Sequence, residues 1–163
     1  MESNVPIVDH IQTKGFSNNT PMSKIVFNSK KMSNDLSNKG VVPNKSLILQ
    51  PPQISQEFYK SFILGYYDGD GSLYKTNQYN NFSFSIQGTK EILEWINSVF
   101  DLNCPLEKRN PQDGKNCYYI RIGGVDKIYT VLTELYNSSN TYLDRKYQIY
   151  KNLETVVLNR NIG

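Results

Sequence analysis

Residues 63–71 have the sequence Ile-Leu-Gly-Tyr-Tyr-Asp-Gly-Asp-Gly and continue an apolar stretch, 56–67, that predicts a helix. Two carboxylates, Asp68 and Asp70, therefore stand one residue apart where this helix is expected to end. The helix macrodipole disfavours anions at that end, so the pair costs stability unless it caps the helix or binds a cation. Asp70, at the helix exit, is positioned as a hard oxygen ligand for Mg²⁺.

Two other interpretations of the acidic turn can be compared with its spacing. A calcium-binding loop starting at Asp68 does not fit, because its sixth position would be Leu73 rather than glycine and its twelfth Tyr79 rather than glutamate. A plain turn, in which Asp and Gly are present only for their backbone preferences, stays open on spacing alone.

Outward from this stretch, the hydrophobic pattern predicts an α+β module. Along 81–87 apolar and polar residues alternate strictly, so Phe82, Phe84 and Ile86 are expected to face a core. The predicted order is a helix at 56–67, strands at 72–77 and 81–87, a helix at 90–100, strands at 106–109 and 117–122, and helices at 125–136 and 143–158. This order indicates an antiparallel sheet covered on one face by helices.

The first 50 residues are more polar and contain fewer apolar runs. A short helix is expected at 8–13, a strand at 23–28, and a helix that begins after Ser29 and ends at Gly40. A strand, a helix and a lysine follow one another here, ending at Lys45, as they do later in the chain, ending at Lys146. We therefore interpret 1–50 as the back half of a first repeat and 51–163 as a complete module.

The stretch 63–71 resembles the motif that names the LAGLIDADG homing endonucleases, and the order of elements resembles the fold of that family. The resemblance implies that two motif helices pack together, across a homodimer or between two repeats, with Gly65 and Gly69 in the seam. It implies that Asp70 is the catalytic ligand of Mg²⁺ or another divalent metal, and that Asp68 is a structural cap. The chain departs from the motif at Leu64, where a small residue is usual.

The resemblance also implies a basic residue near the metal and a sheet that binds DNA. Lys146 matches the family lysine that stabilises charge at the scissile phosphate, and Lys45 is its counterpart in the half-module; a solvated surface lysine is the alternative for each. The polar face of the sheet would contact base edges and phosphates of double-stranded DNA, although an ordinary half-solvated sheet has a similar face. The residues expected on it are Tyr74, Thr76, Ser83, Ser85, Gln87, Arg109 (or Lys108, if the register differs), Tyr119 and Arg121.

Composition restricts the class of protein. The 163 residues are 38% hydrophobic with a mean hydropathy of −0.54, and no apolar run approaches the roughly 20 residues that span a membrane. No signal peptide opens the chain, so an intracellular protein is expected. The two cysteines, Cys104 and Cys117, and the single histidine, His10, do not have zinc-ligand spacing. The net charge of +3 permits nucleic-acid binding without requiring it.

Together these features predict a site-specific DNA endonuclease of the homing type that hydrolyses phosphodiester bonds with a divalent metal. One chain supplies a single metal-binding acid, so the prediction requires a homodimer formed through 56–67 or a missing first module. The alternative is a catalytically inactive DNA-binding regulator, or an RNA-splicing maturase whose partner would be intron RNA.

Overall fold

The computed structural model describes residues 5–12, 20–41, 45–76 and 81–160. The chain divides into two compact units, Met1–Asn38 and Lys39–Gly163. In the first unit, strand β1 (Val8–Gln12) pairs antiparallel with strand β2 (Thr20–Lys24), and helix α1 (Lys30–Asn38) follows.

The first unit differs from the sequence-based expectation in two places. Residues 8–12 form a strand rather than a helix, and the second strand lies at Thr20–Lys24 rather than at 23–28. The pairing of β1 with β2 decides both outcomes, and the hydrophobic pattern of either segment alone does not contain that information. The helix was predicted correctly: Ser29 Oγ accepts a hydrogen bond from the Met32 amide at 3.2 Å, and Gly40 has the positive φ, +84°, of a C-terminal glycine. The origin of 1–50 as a half-module stays a prediction.

The second unit contains a four-stranded antiparallel sheet. Two short 3-10 turns, Lys45–Leu47 and Gln56–Phe58, precede its helices and strands. These are α2 (Tyr59–Asp70), β3 (Gly71–Lys75), β4 (Phe82–Gly88), α3 (Lys90–Val99), β5 (Leu106–Lys108), β6 (Tyr118–Ile122), α4 (Val125–Tyr136) and α5 (Asp144–Arg160). The strand order is β3-β4-β6-β5, with every neighbouring pair antiparallel. The predicted α+β fold and its order of elements are confirmed.

One hydrophobic core lies between the sheet and the helices. Phe84 of β4 and Ile120 of β6 are buried in it with Ile92 of α3 and Leu132 of α4. Side chains alternate across a strand, so burying this face leaves residues of the other parity on the opposite face of the sheet. Helix α3 starts where its sequence indicates, because Thr89 Oγ1 accepts a hydrogen bond from the Ile92 amide at 3.3 Å.

Among the helices in the described part of the chain, none combines the length and the apolar character needed to cross a membrane. This agrees with the expectation from hydropathy.

Candidate nucleic-acid interface and metal site

The acidic motif ends helix α2 in a way that the sequence did not predict. The helix continues through Asp68 to Asp70 instead of ending at residue 67. Lys146, from the first turn of α5, closes the helix: its ammonium donates to the carbonyl oxygens of Tyr67 at 2.5 Å, Asp68 at 3.1 Å and Gly71 at 2.7 Å. The terminal carbonyls of a helix lack intrahelical partners and carry partial negative charge, so a buried cation stabilises them.

Lys146 is therefore a buried helix cap in this structure. Only 2% of the residue is exposed, and its ammonium, which has three protons to donate, makes three hydrogen bonds to backbone oxygens. Burial lowers the pKa of Lys146, and the negative charges of Asp68 and Asp70 act in the opposite direction. A direct role for Lys146 at a phosphate stays a prediction.

Asp68 ties the end of the motif helix to the start of α5. Its Oδ2 accepts a hydrogen bond from the Leu143 amide at 2.9 Å, which is the structural role that the resemblance implied. Its Oδ1 is buried without a hydrogen-bond partner among the described residues, and the buried hydroxyls of Tyr67 and Tyr136 interact with each other. Burial raises the pKa of both tyrosines, and the charge of Asp68 raises it further.

Asp70, in contrast, is exposed at the last position of α2. Within the described ranges, no three acidic, histidine or cysteine side chains are grouped closely enough to hold a metal ion. A carboxylate at this exit is a suitable hard ligand for a divalent cation such as Mg²⁺, but the remaining oxygen ligands would have to come from outside this part of the chain. The donor chemistry fits the predicted metal, and one module supplies only part of the site.

Gly65 and Gly69 lie on the exposed side of α2, as expected for a seam between two helices. A Cβ atom built on either glycine would have no neighbour within 4 Å, and Phe58, two turns before Gly65, is 54% exposed. Gly71 differs, because a Cβ there would overlap the Tyr67 ring. The outer side of α2 is therefore open to the close approach of another backbone, whereas the exit of the helix is already closely packed.

The structure brings most of the predicted DNA-binding residues onto one face of the sheet. Tyr74 of β3 stands opposite Ser83 of β4, Ser85 opposite Arg121 of β6, and Gln87 opposite Tyr119. Ser83, Ser85 and Gln87 are half-buried, in strict alternation with the buried residues of β4. This polar face lies opposite the core, as the period of two requires.

The sequence left open whether Lys108 or Arg109 faces the polar side of the third strand of the module, β5, and the structure decides between them. The Lys108 ammonium lies 6.0 Å from the ring centroid of Tyr118, whose side chain packs against the core. Arg109, just beyond β5, lines a cavity of about 500 Å³ together with Gln87. Arg109 therefore belongs to the polar face, and Lys108 does not.

Two predicted residues have a different setting. Thr76 follows β3, and its hydroxyl donates to the Asn81 carbonyl oxygen at 3.1 Å, so it closes the end of the hairpin. Lys45 begins a short 3-10 turn, and its side chain lies outside the described residues.

Glu107 lies on the polar face in addition to the residues predicted from the sequence. It pairs with Tyr119 in the sheet, and its Oε2 accepts a hydrogen bond from the Tyr119 hydroxyl at 2.6 Å. An acidic residue is unexpected on a surface that is predicted to bind a polyanion. The alternation of residues along the strand, which places Glu107 two positions before Arg109, was the signal that could have found it.

Comparison with known proteins supports the fold. No family model and no curated protein matches the sequence. Among solved structures, the archaeal intron-encoded homing endonuclease I-Vdi141I, complexed with DNA, matches with a TM-score of 0.52 and 16% identity over 67% of this chain and 75% of its own. The fold is that of the LAGLIDADG homing endonucleases. Within this fold, the acidic motif lies at the end of helix α2 and the polar face lies on the sheet that follows it.

A second structure shows how little of a larger relative this chain covers. The I-LtrWI LAGLIDADG homing endonuclease, bound to target DNA, matches with a TM-score of 0.49 and 16% identity over 65% of this chain. The match covers 39% of that chain. The chain thus spans about two fifths of the length of this solved relative.

Proposed function

We propose that this chain is a module of a site-specific DNA endonuclease of the homing type, which hydrolyses phosphodiester bonds with a divalent metal. The observation that carries the proposal is the exposed carboxylate of Asp70 at the exit of α2, beside an open glycine side of the same helix. The polar face of the neighbouring sheet carries arginine, glutamine and hydroxyl groups suited to base edges and phosphates.

In this proposal Asp70 is the catalytic residue and the metal ligand. A divalent metal such as Mg²⁺, held by Asp70, would supply the Lewis acidity for hydrolysis of the phosphodiester. Asp70 holds its carboxylate at the helix exit, while Lys146 keeps the backbone of that exit fixed. A second module, supplied by another copy of the chain or by a missing first repeat, would contribute the second acid.

The experiment that tests the proposal begins with the DNA site. The full chain is first used to select binding sites from a randomised duplex library, and the selected duplexes are then incubated with the protein and Mg²⁺. We expect double-strand cuts or nicks that disappear in Asp70→Asn and persist in Asp126→Asn, a matched acid at the start of α4. Sequence-selective binding without any cutting would refute the nuclease and leave the DNA-binding regulator.

The glycine side of α2 can be tested separately with Gly65→Ala. In a single chain the added methyl group has no neighbour within 4 Å, and alanine is favoured over glycine in a helix by about 1 kcal/mol, so the monomer should become more stable. If two motif helices pair through Gly65, the same methyl group separates their backbones and weakens the dimer. Light scattering and thermal unfolding of both proteins distinguish the two cases, because the changes have opposite signs.

A DNA-binding protein without nuclease activity is the second candidate. The second candidate is favoured because the ammonium of Lys146, which was expected at the phosphate, donates its hydrogen bonds to three backbone carbonyl oxygens instead. The same cleavage assay decides between the two functions.

A further inference from the structure

A carboxylate lies among the DNA-facing residues of the sheet. Glu107 is exposed on β5, in direct register with Tyr119, which in turn stands opposite Gln87. Side chains directly opposite each other in antiparallel strands lie about 5 Å apart, so these three form a continuous row across three strands. The row crosses the polar face close to Arg109 and Arg121.

Glu107, Tyr119 and Arg121 form a connected cluster. The Tyr119 hydroxyl donates to Glu107 Oε2 at 2.6 Å and accepts from Arg121 Nη2 at 3.4 Å. The Arg121 guanidinium also lies 4.8 Å from the centroid of the Tyr119 ring. The hydrogen bond to Glu107 raises the pKa of Tyr119.

A carboxylate in this position opposes non-specific binding. DNA presents phosphates to any protein that approaches it, and phosphate contacts supply most of the sequence-independent affinity. A negative side chain weakens that term, and a hydrogen-bond donor on the DNA, in addition to the Tyr119 hydroxyl, would compensate for this loss. In the major groove, the donors on base edges are the exocyclic amino groups of cytosine and adenine.

We propose that Glu107 determines specificity by accepting a hydrogen bond from an exocyclic amino group of cytosine or adenine, with Arg121 held next to it by Tyr119. This inference rests on the proposed DNA-binding function. Only Oε2 is engaged with Tyr119 among the described residues, and Oε1 has the lone pairs of a second acceptor. Glu107 and Arg121 are diagonal neighbours on paired strands, about 7–8 Å apart, which is close to two base-pair steps of about 3.4 Å. Arg121 can therefore contact a guanine about two steps from the base recognised by Glu107.

The test measures base preference position by position. Wild type, Glu107→Ala, Tyr119→Phe and the control Glu94→Ala, which removes an exposed acid from α3, are each used to select from the same randomised duplex library. At one position of the DNA site, wild type should prefer cytosine or adenine over the other bases. We expect this preference to fall about 10-fold in Glu107→Ala. Tyr119→Phe should weaken the base preference at that position and also at the guanine that Arg121 contacts, about two steps away. Glu94→Ala should leave all base preferences unchanged. The base that wild type prefers shows whether Glu107 contacts the amino group of cytosine or that of adenine.

Three results would overturn the inference in distinguishable ways. If wild type enriches no sequence, the proposed DNA-binding function fails, and this inference fails with it. If wild type selects a site and Glu107→Ala selects the same one with equal discrimination, only the role of Glu107 fails. If Glu107→Ala binds every duplex more tightly by the same factor, Glu107 merely repels phosphate and does not contact a base.

Discussion

Replacing Lys146 with methionine removes the cation that closes the motif helix and leaves an apolar side chain of similar length. All three carbonyl oxygens, those of Tyr67, Asp68 and Gly71, then lose the Lys146 donor at a place where water has little access, and that of Tyr67 keeps the hydrogen bond from the Gly71 amide that ends the helix. Lys146→Met should therefore destabilise the whole module rather than affect a DNA contact alone.

The size of the effect follows from the number of hydrogen bonds. A hydrogen bond to a charged group contributes roughly 1.5–3 kcal/mol, so three would sum to about 5–9 kcal/mol. The desolvation of the buried ammonium costs several kcal/mol and offsets part of this sum. A net loss of about 3 kcal/mol is expected, which corresponds to a fall of roughly 6–12 °C in Tm for a chain of this size.

The assay is urea unfolding of the variant, wild type and a matched control, Lys151→Met. Lys151 lies on the same helix, is exposed, and pairs with Glu154 at the surface, so its replacement should change the unfolding free energy by less than about 1 kcal/mol. If Lys146→Met also stays within about 1 kcal/mol of wild type, the three hydrogen bonds do not stabilise the fold, and the capping argument is wrong.

Two further outcomes follow from the packing around the motif helix. Gly88→Ala should destabilise the protein by about 1–3 kcal/mol, because the new methyl group would lie 2.5 Å from the Tyr66 hydroxyl, whereas Gly123→Ala, with nothing within 4 Å, should be close to neutral in thermal unfolding. Burial raises the pKa of Tyr66, Tyr67 and Tyr136, so above about pH 10 the unfolded chain releases these protons while the folded chain keeps them. The free energy of unfolding should fall as the pH rises above that value, and tyrosinate absorbance should show these residues ionising only as the protein unfolds; ionisation before unfolding would contradict their burial.

The order of helices and strands in the second unit could be predicted because its local patterns agree with its tertiary structure. The alternation along β4 gave the buried face correctly, and the helical period gave α4 at 125–136. The first unit was less predictable, because β1 is a strand only by virtue of its pairing with β2. Sequence periodicity reports on burial, and both Val8 and Ile11 of β1 are exposed.

The residues of the candidate site also differ in whether a local sequence pattern could predict their positions and contacts. Asp70 and the residues of the polar face were found from a motif and from alternation, both of which are local. The engagement of Lys146 could not be found this way, because its ammonium meets carbonyl oxygens 75 to 79 residues earlier in the chain. Glu107 could be placed on the polar face by the same alternation, but the resemblance to DNA-binding proteins implies hydrogen-bond donors and cations there and gives no reason to expect a carboxylate.

The two carboxylates at the end of α2 differ in whether another part of the fold already binds them. The helix ends with a negative dipole and two carboxylates, an arrangement that costs stability unless it is compensated. Lys146 donates hydrogen bonds to the terminal carbonyl oxygens of the helix, and Asp68 accepts a hydrogen bond from the Leu143 amide. Within the described part of the chain, the Asp70 carboxylate has no salt bridge or hydrogen bond of this kind, and it is exposed. An exposed acid at the unfavourable end of a helix, next to one that the fold has used, supports the proposal that Asp70 is a metal ligand.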